Sequence, residues 1–185
     1  MDPATVYYLP GFGGSIHTGL GQGLLDRGVA VTGRETTGEF RKLWFPDQVD
    51  AVATDLQEHF WDERARVVAN SFGAYLFLHA QAQLPRFPGR VLLLSPIVDA
   101  FEDGQTQSHF QPPRAGRLQE LARQGLLFLP GRLEVHVGEV DWQSVPAQVT
   151  ALFGPLGVTP VIVTGAGHML GKNYVGKLLD RWLIE

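Results

Sequence analysis

The sequence RVVANSFGAYLFL, residues 66–78, places one serine between a short apolar run and a longer apolar segment. Small residues stand two positions from Ser71 on each side, Ala69 before it and Gly73 after it. A sharp turn from a strand into a helix needs small residues there, because the two backbones almost touch. We therefore predict a strand, a tight turn and a helix, with the hydroxyl of Ser71 held out at the turn.

A turn of this kind is typical of a nucleophile elbow and makes Ser71 a candidate nucleophile. A serine hydroxyl is a weak nucleophile at neutral pH. It needs a base, a group that orients the base, and donors for the oxyanion that forms. In open α/β sheets such groups gather past the carboxyl ends of the strands. The loops after the predicted strands are therefore where partners of Ser71 are expected.

Apolar runs alternate with helix-compatible segments along the chain, and this alternation predicts the fold class. The predicted strands are residues 5–9, 29–32, 66–70, 90–94, 133–137 and 158–164, and the predicted helices are residues 16–26, 46–61, 72–84, 118–124, 145–153 and 174–183. Repeated strand–helix units favour an α/β fold. We expect a three-layer α/β/α sandwich with a mostly parallel sheet of about six strands.

The candidate base and its orienting acid follow the last two predicted strands. His168 lies in TGAGHM, residues 164–169, and Asp141 lies in GEVDW, residues 138–142. The chain order Ser71, Asp141, His168 is the order expected for a catalytic triad on this fold. Asp99, just past the strand at residues 90–94, is an alternative acid, and Glu139 is a second one.

A glycine-rich loop, LPGFGGS at residues 9–15, follows the first predicted strand. Such a loop can turn backbone N–H groups towards a nucleophile, so we assign the oxyanion hole to the N–H groups of Phe12 and Phe72. The same loop also suggests a dinucleotide-binding turn with Glu35 at the ribose. That fingerprint needs glycine or alanine at its sixth position, where Ile16 stands.

Together these motifs resemble the α/β-hydrolase superfamily over residues 6–183. PGFGG (10–14) is similar to its oxyanion loop, with Pro10 where histidine often stands. NSFG (70–73) matches its elbow, with Ala69 in place of a glycine, and GEVD (138–141) and GAGH (165–168) match its acid and histidine loops. The length, the missing large cap and residues 110–112 resemble small serine hydrolases of the retinoblastoma-binding-protein-9 type.

The resemblance implies one minimal α/β-hydrolase domain over residues 1–185, without a large cap. It implies a serine hydrolase that cleaves a carboxylic ester or thioester through an acyl-enzyme, with a small-molecule acyl substrate. The alternative is a catalytically inactive interaction protein on the same fold. Four residues near predicted loop ends are expected to line an apolar acyl pocket: Phe101, Phe110, Trp142 and Met169. Residues 99–113 are predicted to be either a lid or a solvated connection.

Composition excludes several other classes of protein. The net charge is −4 with a pI of about 5.8, so nucleic-acid binding is not expected. The chain has no cysteine, which excludes disulfides, thiolate nucleophiles and cysteine zinc sites. His136, Glu139 and Asp141 could be drawn as metal ligands, but we expect neither a metal nor a cofactor. No signal peptide or membrane span is apparent, so a cytoplasmic location is expected. The oligomeric state is not indicated.

Overall fold

A computed structural model describes residues 5–101 and 111–184 of the chain. The strands are β1 (Thr5–Leu9), β2 (Ala30–Gly33), β3 (Arg66–Asn70), β4 (Arg90–Leu94), β5 (Arg132–Gly138) and β6 (Val161–Val163). The helices are α1 (Leu20–Leu25), α2 (Gly38–Lys42), α3 (Phe45–His59), α4 (Phe72–Gln81), α5 (Arg117–Arg123), α6 (Pro146–Phe153) and α7 (Lys172–Trp182), with a 3₁₀ turn at Gly154–Leu156.

The six strands form one sheet in the order β2-β1-β3-β4-β5-β6, and neighbouring strands are parallel throughout. The order changes direction after β2, because β2 lies on one side of β1 and β3 lies on the other. The carboxyl ends of β1 and β3 therefore flank a topological switch point, where open α/β sheets bind ligands. Leu9 pairs with Ala69 at this edge, so the loop after β1 and the turn after β3 are neighbours.

Helices cover both faces of the sheet. Alternate strand residues such as Leu9 and Ala69 pack in the core that includes residues of α3, α4, α5 and α6. The intervening strand residues, such as Tyr8 and Val68, pack in a second core with Leu24 of α1 and residues of α7. Parallel strands that are buried on both faces read as near-continuous apolar runs, as β4 does. The prediction of a three-layer α/β/α sandwich is confirmed.

Several element boundaries differ from the sequence-based ones by one to four residues, and two of these differences have local reasons. The first helix begins at Leu20 and not at residue 16, because the backbone N–H of Ile16 donates to the Glu35 carboxylate and Gly19 has φ 54°. The last strand is only three residues long. Pro160 precedes it and has no N–H to donate to a neighbouring strand.

Helix α2 was not predicted at all. It spans only five residues and has no side-chain hydrogen bond at its N-cap. Glu39 and Lys42 form an ion pair one turn apart on it. Within residues 5–101 and 111–184, no helix combines the length and the apolar composition that crossing a bilayer requires.

Candidate active site

Ser71 lies at the turn between β3 and α4 with φ 53° and ψ −120°. A non-glycine residue at positive φ is strained by about 1–3 kcal/mol, and such strain clusters at functional sites. The backbone holds this conformation on both sides: Ser71 N donates to the carbonyl of Leu94 at 3.0 Å, and Tyr75 N donates to the carbonyl of Ser71 at 3.1 Å. The predicted strand–turn–helix is thus present, with Ser71 at its apex.

The small residue after the serine is required by the close approach of β1. A Cβ built on Gly73 would lie 2.1 Å from the carbonyl oxygen of Leu9 and 2.5 Å from that of Pro10. No side chain fits there unless the end of β1 moves. Ala69, in contrast, fits as a fully buried residue within the sheet, which explains why alanine can stand in place of the glycine of the related motif.

His168 lies in the loop after β6 and contacts Ser71, and Asp141 lies in the loop after β5 and contacts His168. His168 Nε2 lies 2.8 Å from Ser71 Oγ. On the other side of the ring, His168 Nδ1 lies 3.0 Å from both carboxylate oxygens of Asp141. The three side chains therefore form one continuous chain of hydrogen bonds at the carboxyl edge of the sheet.

Asp141 is held as an acceptor in a fully buried position. Its side chain is 0% exposed, against 18% for His168. Burial alone would raise the pKa of Asp141, but hydrogen bonds from His168 and from the backbone N–H groups of Ser144 and Gln143 lower it below its ordinary value. An ionised carboxylate only accepts, so the imidazole proton lies on Nδ1 and Nε2 can accept the Ser71 hydroxyl proton.

Sequence reasoning did not single out Ser144, which braces the acid loop. Ser144 N donates to Asp141 Oδ1 at 2.9 Å, and the Ser144 hydroxyl donates to the carbonyl of Ser95 at the end of β4. The sequence does contain a signal for this contact, because an aspartate carboxylate in a turn often accepts backbone N–H groups of the residues two or three positions later.

The alternative acids have other partners. Asp99 Oδ1 accepts the backbone N–H of Ala100 at 2.7 Å, and Glu139 Oε2 accepts that of Gly165 at 2.8 Å. His136 is buried, and its Nδ1 lies 2.8 Å from the Tyr174 hydroxyl. His136, Glu139 and Asp141 thus turn to three different partners. In the described part of the chain, no three His, Asp or Glu side chains are grouped as metal ligands would be.

The glycine-rich loop after β1 lies directly against the serine. A Cβ built on Gly11 would be 3.2 Å from Ser71 Cβ and 3.2 Å from Asn70 Nδ2. The Tyr8 hydroxyl donates to Asn70 Oδ1 at 2.8 Å, which ties β1 to the residue before the nucleophile. Sequence reasoning missed this contact because it joins two strands 62 positions apart.

Glu35, which the alternative of a dinucleotide-binding turn would place at a ribose, binds the glycine-rich loop itself. Its carboxylate accepts the hydroxyl of Ser15 and the backbone N–H of Ile16. These hydrogen bonds, that from Ser15 first, lower the pKa of Glu35 below its ordinary value. The carboxylate thus binds the end of the loop that follows Gly14.

The predicted pocket residues are distributed around this edge. The rings of Phe12 and Phe72 pack edge to face with their centroids 5.7 Å apart, and those of Phe101 and Trp142 do so with centroids 5.5 Å apart. Met169 is 85% exposed, so its side chain lines the mouth of a pocket at most. Phe110 lies outside the described residues, as do residues 102–110 of the predicted lid, and both stay predictions.

Solved structures share this architecture at low sequence identity. No protein-family model matches the chain, and no curated protein matches it. The ydeN gene product from B. subtilis has a TM-score of 0.66 at 16% identity, covering 98% of this chain and 99% of that one. A protein from Xanthomonas campestris described as a hydrolase of the α/β superfamily has a TM-score of 0.66 at 15% identity, covering 100% and 99%.

The thioesterase RedJ from the prodiginine biosynthetic pathway in Streptomyces coelicolor is also similar, with a TM-score of 0.61 at 18% identity and coverage of 99% and 90%. None of these likenesses tests the narrower resemblance to the retinoblastoma-binding-protein-9 type, which stays a prediction. In each comparison nearly the whole of this chain matches nearly the whole of the other, so the similarity concerns the complete fold. The chain has the fold of the α/β-hydrolase superfamily.

Proposed function

We propose that the protein is a serine hydrolase that cleaves a carboxylic ester or thioester through an acyl-enzyme. The observation that carries this proposal is the chain of contacts from Ser71 Oγ through His168 to Asp141, with distances of 2.8 Å and 3.0 Å. It lies at the switch point of the sheet, beside a glycine-rich loop. A strained serine, a base within hydrogen-bond reach and a buried acid behind the base are the parts that acyl transfer needs.

In the first half of the reaction, Ser71 Oγ attacks the acyl carbon while His168 Nε2 takes the hydroxyl proton. The imidazolium that forms is stabilised by the Asp141 carboxylate, which stays ionised. His168 then gives the proton to the leaving alcohol or thiol, and the bond between the acyl carbon and the leaving group breaks. The product of this half is an ester between the acyl group and Ser71.

In the second half, water replaces the alcohol or thiol. His168 takes a proton from water, the resulting hydroxide attacks the acyl carbon, and Ser71 leaves with the proton returned by His168. The carboxylic acid is released and the enzyme is restored. Both halves pass through a tetrahedral oxyanion, for which we assign the N–H groups of Phe12 and Phe72 as donors.

The surroundings of the serine support an acyl substrate. Aromatic rings cluster at the residue that follows the serine: the ring centroid of Phe72 lies 6.3 Å from that of Phe45 and 5.7 Å from that of Phe12. Apolar walls with a few convergent polar groups are typical of small-molecule sites. A thioester is included because the similar fold of RedJ belongs to a thioesterase. The triad itself treats an ester and a thioester alike, since both present a carbonyl carbon and a leaving group that accepts a proton.

Hydrolysis of short p-nitrophenyl esters and of acyl thioesters by matched serine variants tests the proposal. Ser71→Ala should lower kcat by at least about 1,000-fold. Ser95→Ala is the control, because Ser95 is also buried at positive φ after a strand, yet its hydroxyl has no hydrogen-bond partner in the described structure. Equal activity in wild type and Ser71→Ala would contradict the proposal. No turnover by wild type on any acyl series would favour the inactive interaction protein.

A further inference from the structure

Thr36 is a buried residue between β2 and α2 that forms hydrogen bonds with the glycine-rich loop through both its backbone and its side chain. Its side chain belongs to the few buried polar groups, with the residue 2% exposed. Its backbone pairs with the loop in both directions, since Gly13 N donates to Thr36 O at 3.2 Å and Thr36 N donates to Gly14 O at 3.1 Å. Its hydroxyl donates to the carbonyl of Gly11 and accepts the N–H of Gly14 at 3.0 Å.

These contacts close around a tight turn from Gly11 to Gly14. Gly14 N donates to the carbonyl of Gly11 at 2.9 Å, which is the closing bond of a β-turn with Phe12 and Gly13 at its centre. Gly13 has φ 75°, the value that a type II turn needs at its third position and that glycine adopts without strain. The carbonyl of Gly11 therefore accepts two hydrogen bonds, one from within the turn and one from Thr36.

The direction of this carbonyl decides where the next N–H points. The peptide that joins Gly11 to Phe12 is planar, and in a trans peptide the C=O and N–H point in opposite directions. With its oxygen held towards Thr36, the same peptide turns the N–H of Phe12 away from Thr36. Gly11 itself lies on Ser71, since a Cβ built on it would be 3.6 Å from Ser71 Oγ.

We infer that Thr36 is a positioning residue for the oxyanion hole, whose hydroxyl fixes the Gly11–Phe12 peptide with the Phe12 N–H towards the reacting carbonyl. The inference rests on the proposed function. Flipping this peptide would bring the Gly11 oxygen, an acceptor, to the place where the oxyanion forms. The Thr36 hydroxyl opposes that flip, because a flipped peptide would leave the buried hydroxyl with only the carbonyl of Gly14, at 3.5 Å, as an acceptor.

The loop has a second tether that serves as an internal control. Glu35 holds the far end through the hydroxyl of Ser15 and the N–H of Ile16. Those bonds act on residues after the turn and do not touch the Gly11–Phe12 peptide. Loosening the loop at Glu35 should therefore leave the direction of the Phe12 N–H unchanged, whereas removing the Thr36 hydroxyl should not.

The test compares Thr36→Val, Thr36→Ser and Glu35→Ala on one p-nitrophenyl ester, because alanine removes the acceptor of both Glu35 hydrogen bonds. Thr36→Val keeps the shape and removes the hydroxyl, so kcat should fall about 10- to 100-fold while KM changes less than about threefold. Thr36→Ser restores the hydroxyl and should recover kcat to within about threefold of wild type. Glu35→Ala should also stay within about threefold.

Inhibition by an alkyl boronic acid is a second measurement, and it reports on the oxyanion hole more directly than on the general rigidity of the glycine-rich loop. Its adduct with a serine is tetrahedral and carries an oxygen where the oxyanion forms. Its inhibition constant should therefore rise in Thr36→Val by the same factor as kcat falls. Thr36→Ala removes the same hydroxyl with less bulk and replaces Thr36→Val if that variant does not fold.

Two results would overturn the inference. The first is a Thr36→Val or Thr36→Ala enzyme with kcat and boronate inhibition within twofold of wild type. The second is an equal loss in Glu35→Ala and Thr36→Val, which would mean that the loop only needs to be rigid. Both results leave the proposed function standing. If the wild-type enzyme shows no turnover that depends on Ser71, the proposed function itself is wrong, and the inference falls with it.

Discussion

Gly73→Ala probes how closely the first strand and the nucleophile turn depend on each other. The added Cβ would start 2.1 Å from the carbonyl oxygen of Leu9, and real Cβ atoms essentially never come within 3.0 Å of a neighbour. The two backbones must therefore separate by about 0.9 Å, from 2.1 Å to 3.0 Å. The atoms that must give way are backbone carbonyls of Leu9 and Pro10 and not the tip of a flexible side chain.

This separation acts on both halves of the proposed site, because β1 carries the glycine-rich loop and α4 follows Ser71. A misplacement of about 1 Å can cost about 100-fold in rate, and overpacking costs about 1–3 kcal/mol of stability. We expect Gly73→Ala to lower kcat/KM by at least about 100-fold and to lower the free energy of unfolding by about 1–3 kcal/mol. Ester hydrolysis and urea unfolding measure the two effects on the same preparation.

Gly23→Ala is the matched control for the same chemical change. Gly23 lies inside α1, where the nearest atom to an added Cβ is the Arg27 guanidinium at 3.7 Å, an ordinary contact. Alanine favours a helix over glycine by up to about 1 kcal/mol, so this variant should be as stable as wild type or more so, with unchanged kcat. A folded Gly73→Ala protein with kcat/KM within threefold of wild type would refute the argument from close approach.

Two further predictions concern the acid and a buried histidine. In Asp141→Asn the amide oxygen takes the Oδ1 position, because the N–H groups of Gln143 and Ser144 donate there. The amide N–H then faces His168 Nδ1, which moves the imidazole proton to Nε2 and leaves no acceptor for the Ser71 hydroxyl. We expect kcat to fall about 1,000- to 10,000-fold, with Asp99→Asn close to wild type; the reverse result would make Asp99 the acid. Burial lowers the pKa of His79 from 6.5 to about 4, with a smaller contribution from Arg114 and Arg117. Because the unfolded state then binds the proton more readily than the folded state, the folded protein loses stability as pH falls from about 6.5 to about 4. His79→Leu should remove about 3 kcal/mol of this acid destabilisation, seen as a smaller difference between urea unfolding at pH 7 and at pH 4; an unchanged difference would show that His79 is not its source.

The fold, and the arrangement of the candidate triad within it, could be predicted because their signals are local. The small residues around Ser71 are required by a contact within one strand–turn–helix unit, and each buried strand is a short apolar run in the sequence. The loops that carry Asp141 and His168 directly follow such runs. Parallel strands bring their carboxyl ends to one edge, so the order of the loops along the chain was enough to bring the three residues together as a hypothesis.

The rest depended on contacts between distant parts of the chain. Thr36 binds the glycine-rich loop 22 and 25 positions away, and nothing near it in the sequence marks that contact. Asp99 and Asp141 both follow strands, and only the paths of their loops decide which one reaches His168. Helix α2 is too short to produce a periodic pattern, so its residues resembled a loop.

Labelling with a fluorophosphonate, followed by peptide mapping with mass spectrometry, tests the central claim most directly. A fluorophosphonate reacts with a serine that a nearby base activates and that faces a hole able to hold the phosphonyl oxygen. We predict a single adduct on Ser71, lost in Ser71→Ala and retained in Ser95→Ala. An adduct on any other residue, or no adduct on a folded wild-type protein, would contradict the assignment of Ser71 as the nucleophile.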